Sequence, residues 1–255
     1  NSCMRFYLNL SWVVACLSAG AVQAQASEPI DSKGWRYTLT PYAWAASLSG
    51  DLSVLGAPKT HVSSTFSSLK KDLDFAAMLV GTARKGRLGV FTDLTYLKAS
   101  SSASLPSGLP AQSVRVGAKA FTAMLGTGYA IHYTNQGHVD VLAALRYWYV
   151  DTKVSVDGGA FNHLHRDDRG SWADALVGLR GVHYFSDRVY ATGWALAGAG
   201  GSKFSWDVAA GVGYKFNPSV SAQLGYRALG VNYTHDRFHY KMIHQGPAAG
   251  ITWHF

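Results

Sequence analysis

The sequence predicts an all-β chain that closes into a transmembrane, antiparallel, up-and-down barrel of about ten strands. Three observations predict it. Of 255 residues, 48% are hydrophobic and only 15% charged, whereas a soluble domain carries about 25% charged residues. No stretch after residue 26 can cross a bilayer as a helix, which needs about 20 predominantly apolar residues. Beyond residue 26 the longest run without a formal charge, 120–139, is interrupted by Gly126, Gly128, Thr134, Asn135, Gln136 and Gly137, and the run 189–202 is short and glycine-rich. Finally, apolar residues recur at every second position in segment after segment, the period of a strand with two unlike faces.

The first element is not part of the wall. Asn1, Ser2 and Cys3 precede the first methionine and read as upstream sequence; Met4 and Arg5 then lead into the apolar run FYLNLSWVVACLSAG and the small-residue stretch AVQAQA. A basic start, an apolar middle and an Ala-x-Ala exit predict a secretory signal peptide over residues 1–26, cleaved after Ala24 or Ala26. Val13-Val14-Ala15-Cys16 resembles a lipoprotein processing site, but it lies close to Met4 and apolar residues continue past it toward the better exit. Cleavage would remove Cys3 and Cys16, the only cysteines, leaving 27–255 as one domain with no disulfide and no thiolate metal site. It would also leave 22 basic residues against 15 acidic, a formal charge of +7. The basic residues are scattered rather than clustered, which does not favour nucleic acid; for an exported chain, anionic lipid headgroups and lipopolysaccharide are the expected acidic neighbours.

Wall strands follow in order. The first is expected at 35–48. The connection 49–73 holds GDLSVLGAPKTHVSSTF, a candidate extra hairpin, and SSLKKDL, a candidate helical turn. In 74–85, Phe75, Ala77, Leu79 and Ala83 oppose Asp74, Thr82 and Arg84; in 87–100, Leu88, Val90, Leu94 and Tyr96 oppose Asp93. Segment 113–131 is less regular. In 138–154, Val139, Val141, Ala143, Leu145, Tyr147 and Tyr149 oppose Asp140 and Arg146. Segments 172–184 and 188–199 come next. The clearest is 204–217, where Phe204, Trp206, Val208, Ala210, Val212, Tyr214 and Phe216 form one wholly apolar face with aromatics at both ends, the lipid-facing pattern of a transmembrane strand. In 219–234, Val220, Ala222, Leu224 and Tyr226 oppose Ser221, Gln223 and Arg227, and the pattern slips near Leu229 as at a bulge. The last strand is expected at 246–255. Short connectors (84–87, 133–137, 185–188, 217–219) alternate with mostly longer ones, as in a barrel with short turns on one side and longer loops on the other. If the hairpin in 49–73 joins the wall the count becomes twelve; if one strand pair is loop instead, eight.

The chain ends Ala249-Gly250-Ile251-Thr252-Trp253-His254-Phe255, which resembles the closing strand of Gram-negative outer-membrane barrels, whose terminal aromatic is read by the barrel-assembly machinery. The resemblance makes Trp253 and Phe255 the assembly signal. Thr40-Pro41-Tyr42-Ala43-Trp44-Ala45-Ala46, Leu73-Asp74-Phe75, Gly225-Tyr226-Arg227-Ala228-Leu229 and Gly246-Pro247 before the last strand look like an uncharacterised family of proteobacterial outer-membrane barrels, of the small OmpA/OmpX-like architecture. That resemblance covers nearly the whole exported chain and implies a fold and an outer-membrane location, but no activity or functional residue.

The inward faces are expected to carry Arg84, Asp93, Lys119, Asp140, Arg146, Asp174, Arg180, Asp207, Lys215 and Arg227. An eight- to ten-stranded barrel has an interior about wide enough for side chains to fill, and unpaired buried charge is costly. These residues therefore read as a salt-bridge network plugging the lumen, or else as the lining of a narrow pore. His163 and His165 beside Asp167 and Asp168, and His235, His239 and His244, invite a metal reading, but their spacing matches no strong zinc signature, and no metal or other cofactor is expected. His61-Val62-Ser63 superficially resembles an element of barrel lipid A deacylases but lies in the first loop region; no Gly-x-Ser-x-Gly exists, and Gly198–Lys203 lacks the spacing of a phosphate loop. The expectation is a non-enzymatic envelope barrel of unspecified oligomeric state, with a narrow pore for ions or small solutes as one form of it. A lipid-modifying barrel enzyme and a loop-based binding or adhesion protein are the alternatives.

Overall fold

In a computed structural model that describes residues 34–53, 60–64, 73–104, 113–157, 164–235 and 238–255, ten strands form a closed antiparallel wall. They are β1 (Arg36–Trp44), β4 (Leu73–Lys85), β5 (Leu88–Ser104), β6 (Ser113–Thr134), β7 (Gly137–Asp157), β8 (Leu164–Tyr184), β9 (Val189–Gly200), β10 (Phe204–Asn217), β11 (Val220–His235) and β12 (Phe238–His254). Each pairs with the next, and β1 closes on β12 with Thr38 opposite His254 and Trp44 opposite Ala248. At the seam the Tyr37 and Phe255 backbones exchange two hydrogen bonds of 3.1 and 3.0 Å.

The hairpin expected within 49–73 exists as β2 (Ser47–Ser53) and β3 (Thr60–Ser64), but it does not widen the barrel. β2 prolongs β1 and pairs with the first half of β12, from His239 to Gln245. The break between β1 and β2 has a covalent cause. Pro247 lies opposite the Ala45–Ala46 junction; its carbonyl accepts the Ala45 amide at 2.9 Å, but it has no N–H to return on that side. Gly246-Pro247 therefore sits inside the last strand, not before it. β8 likewise starts well ahead of 172.

One end of the barrel carries short connections, and this is the turn end. At the first of them Gly86 has φ 55°, the left-handed conformation that tight hairpins require at their leading loop position. The opposite, loop end is uneven: β9 and β10 are joined by a tight turn at 201–203, whereas β6, β7 and β8 run several residues further.

The outward face is apolar through the middle of the wall. Leu125, Leu145, Val177 and Leu224 are each more than 60% exposed, an arrangement that only a hydrocarbon solvent makes favourable. Outward aromatics ring both borders: Phe75, Tyr96, Phe121, Tyr147 and Phe204 toward the loop end, and Tyr37, Tyr129, Phe185, Tyr214, Phe216, Trp253 and Phe255 toward the turn end.

Toward the loop end the inward face of β11 changes character. In β11 the inward residues of the lower half are Ser221, Gln223 and Arg227, while higher up they are Leu229, Val231 and Tyr233, all buried. Pairing with β10 and β12 runs through Leu229 without a shift. The slip read from the sequence is not a bulge; from Leu229 on, the inward positions change from polar to apolar and join the buried aromatic cluster. The one register shift in the β10–β11 pairing lies at Lys215/Asn217, beside the turn.

Candidate functional site: a layered lumen

Side chains fill the lumen in layers stacked from the turn end to the loop end. The lowest is a polar vestibule of about 330 Å³ whose charged lining is Arg36, Arg84, Arg180, Lys215 and Asp140. Arg84 of β4 donates to the Asp140 carboxylate of β7, with His138 Nε2 3.7 Å from the same group. The other cations are held against rings: Lys215 Nζ lies 4.2 Å from the centre of Tyr184, the Arg180 guanidinium 5.1 Å from that of Phe91, and Arg36 donates to the Tyr133 hydroxyl at 3.2 Å. Tyr190 crosses the floor to reach the Ser221 hydroxyl at 2.9 Å. It can do so because position 213 is glycine: a Cβ there would lie 2.1 Å from the ring.

Above the vestibule lies an apolar layer of Phe91, Met124, Leu142, Ala144, Leu176 and Leu196, with Val80 and Trp194 packed on it. Over that sits a compact ionic layer. Arg227 of β11 donates from Nε and a terminal nitrogen to Asp207 of β10 (3.1 and 2.7 Å) and to Asp93 of β5 (2.5 Å). Arg146 of β7 also donates to Asp207, which accepts a further bond from the Trp194 indole at 3.0 Å. Tyr42 of β1 accepts from Arg227 at 2.6 Å and donates to Asp93 at 2.8 Å. Two arginines meet two carboxylates, all four at most 3% exposed, so the layer is neutral and its four charges come from four strands. The Arg227 guanidinium also lies 5.0 Å from the centre of the Trp44 ring and 5.4 Å from that of Trp194.

The topmost layer is aromatic. Trp148 stacks on Trp172 at 5.5 Å and Trp172 on Tyr233 at 4.0 Å, packed with Trp44, Val150, Leu229 and Val231. His244 faces this layer and shares a 3.0 Å hydrogen bond with Tyr240.

Of the ten charged residues assigned to the lumen from sequence, Arg84, Asp93, Asp140, Arg146, Asp174, Arg180, Asp207, Lys215 and Arg227 occupy inward positions. Lys119 does not. It is exposed on the outward side of β6, two residues past Phe121 and opposite Lys98 and Asp151, beyond the aromatic ring where a charge no longer meets hydrocarbon. Asp174 points inward but serves the backbone: its carboxylate accepts the Ser202 amide at 2.8 Å and clamps the tight β9–β10 turn. Sequence reasoning missed Tyr42, Trp44, Trp148, Trp172 and Trp194, although Trp148 and Trp172 share the strand parity of Arg146 and Asp174.

The histidine readings gain no support from placement. His163 and the side chains of His61, His165, His235 and His239 lie outside the described residues. Asp167 and Asp168 alternate along β8, Asp167 pairing outward with Arg169 at 3.6 Å. Among the described residues no cluster of three metal-ligating side chains occurs. Trp253 points outward and Phe255 extends from the β1–β12 seam.

No protein-family model and no curated protein sequence matches the chain. Solved structures do. The outer membrane protease OmpT of Escherichia coli superposes with a TM-score of 0.52 at 10% identity, over 89% of this chain and 100% of that one. The translocator domain of the autotransporter NalP from Neisseria meningitidis gives 0.44 at 13% identity, over 88% and 89%. Neisserial surface protein A gives 0.35 at 16% identity, over 87% and 99%. At these identities the likeness is one of fold alone: this chain has the ten-stranded antiparallel barrel architecture of outer-membrane proteins.

Proposed function

We propose that the protein is a non-enzymatic component of the Gram-negative outer membrane whose lumen is sealed. The observation that carries this reading is the neutral ionic layer, in which Asp93, Arg146, Asp207 and Arg227 satisfy one another between two hydrophobic layers. A hydrated ion crossing it would have to break charge-assisted hydrogen bonds made in a low-dielectric interior, which are the strong ones. The same residues that would line a pore are spent on each other, so the narrow-pore form has no open path to support it. Catalysis has no support at the His61-Val62-Ser63 element, where Ser63 is an exposed residue of a short edge hairpin.

In this reading the chain is exported through cleavage of residues 1–26, and Trp253 and Phe255 present the signal taken up by the barrel-assembly machinery. The turn end faces the periplasm. Outward Lys98, Lys119 and Arg169 lie at the height of outer-leaflet headgroups, lipopolysaccharide included. The strands that continue past the aromatic ring support a second reading, in which the loop end presents a binding or adhesion surface.

Fractionation and liposome retention test the proposal together. The mature chain should sediment with the outer membrane and show a heat-dependent shift in gel mobility. Proteoliposomes loaded with a small fluorescent anion should hold it as long as protein-free vesicles do. A soluble mature monomer, or rapid dye release, would refute it.

A further inference from the structure

The apolar layer does not reach across the lumen. Its side chains come from β4 to β9 alone, from Val80 round to Leu196. At the same height β10, β11 and β12 present Ala209, Gly211, Gly225, Gly250 and Ala248 inward, none with a side chain longer than a methyl group. The space left between the two sides is a cavity of about 110 Å³. It shares Thr38, Thr82, Phe91, Thr192 and Gln223 with the vestibule, so it opens toward the turn end. Tyr42 and Arg227 of the ionic layer close it above.

We propose that this cavity is a binding site for a small, uncharged, mostly apolar molecule with one polar group, entering from the turn end. The side walls are rings and methyl groups: Phe91 and Trp194, with ring centres 5.4 Å apart, face alanine and glycine positions whose strands are paired on both sides. An apolar body gains by leaving water there, and a mostly apolar pocket with few polar groups is the usual form of a small-molecule site. The ceiling disfavours an ion. Arg227 already donates to Asp207, Asp93 and Tyr42, and Tyr42 donates to Asp93, so a charge buried beneath them would disturb a balanced set at high cost. Recognition needs no charge from Arg180, which lines both spaces beside the Phe91 ring. Gln223 supplies the polar contact: its amide nitrogen donates to Thr252 at 2.7 Å, which leaves the amide oxygen to accept from a ligand hydroxyl. An apolar cavity of about 150 Å³ takes benzene, so about 110 Å³ with an open lower end makes a single ring the upper size. The Trp194 indole is held by Asp207 at 3.0 Å, so this wall is set before a ligand arrives, which lowers the ordering cost of binding. The site lies below the ionic layer and goes beyond the sealed-lumen reading without depending on it.

The test uses the full mature chain in nanodiscs of zwitterionic lipid, titrated with phenol and with benzene by calorimetry against empty nanodiscs, which report partition into lipid. Saturable binding of both is expected. Ala209→Leu, which fills the cavity from β10, should weaken both by about tenfold or more, and Ala209→Val serves if the larger residue prevents folding. Gln223→Leu should weaken phenol by roughly five- to tenfold, the loss of one neutral hydrogen bond, and leave benzene unchanged. Ala195→Leu, the same enlargement on the exposed outward face of β9, should change neither. Heat-dependent gel mobility reports whether each variant is folded. Absence of saturable binding in the folded wild type, or undiminished binding in the folded Ala209 variants, overturns the site. Equal loss of phenol and benzene in Gln223→Leu overturns the polar contact. Dye release from liposomes would refute the seal and leave the site standing, so the two claims fail separately.

Discussion

The ionic layer at mid-lumen and the vestibule below it are built from the same residue types and differ in how the charges add up. At mid-lumen two arginines meet two carboxylates, each at most 3% exposed, and Asp207 alone accepts from Arg227, Arg146 and Trp194. In the vestibule four cationic side chains meet one carboxylate side chain, and aromatic rings flank Arg180 and Lys215. Where two arginines and two carboxylates interlock within hydrogen-bond reach the lumen is filled; where aromatic rings flank the cations, a polar cavity of about 330 Å³ remains.

The largest effect is expected for Asp207→Ala, which leaves Arg146 and Arg227 facing each other with only Asp93 between them. Removing one partner of a buried ionic set costs about 3–5 kcal/mol, read as a lower midpoint in urea unfolding followed by gel mobility. Leu145→Arg, placed on the exposed apolar face in the middle of the wall, should cost about 2–4 kcal/mol and leave the lumen intact, separating wall from plug. Arg180→Gln leaves the ionic layer intact and should cost less, about 1 kcal/mol. Lys119→Gln, outward and exposed, should stay within about 0.5 kcal/mol of wild type. If Arg180→Gln proved as damaging as Asp207→Ala, the vestibule would be a structural ion network like the one above it.

The wall was legible in the sequence because a bilayer imposes its pattern on every strand it touches: Phe204, Trp206, Val208, Val212 and Tyr214 could be assigned outward from β10 alone. Lys119 breaks the inference from charge to lumen. That inference holds only between the aromatic rings, and Lys119 stands one outward step past Phe121. Leu229 misleads for a different reason, since the inward face itself turns apolar there without any change of register. The partnerships inside the lumen were not legible at all. Asp93 and Arg227 are 134 residues apart and Arg84 and Asp140 are 56, and which inward residues meet depends on the stagger of ten strands around the barrel. Asp174 illustrates the limit: its parity was readable, but its partner is the backbone of a turn.

The central claim is that the neutral ionic layer closes the lumen, and planar-bilayer conductance of the wild type beside an Arg146→Ala/Asp207→Ala double variant tests it most directly. That variant removes one charge of each sign, so Asp93 and Arg227 still balance while side-chain volume is lost at mid-lumen. The account predicts no discrete steps for the wild type across voltages and salt concentrations, and steps that appear in the double variant. Discrete conductance steps from the wild-type protein would contradict it.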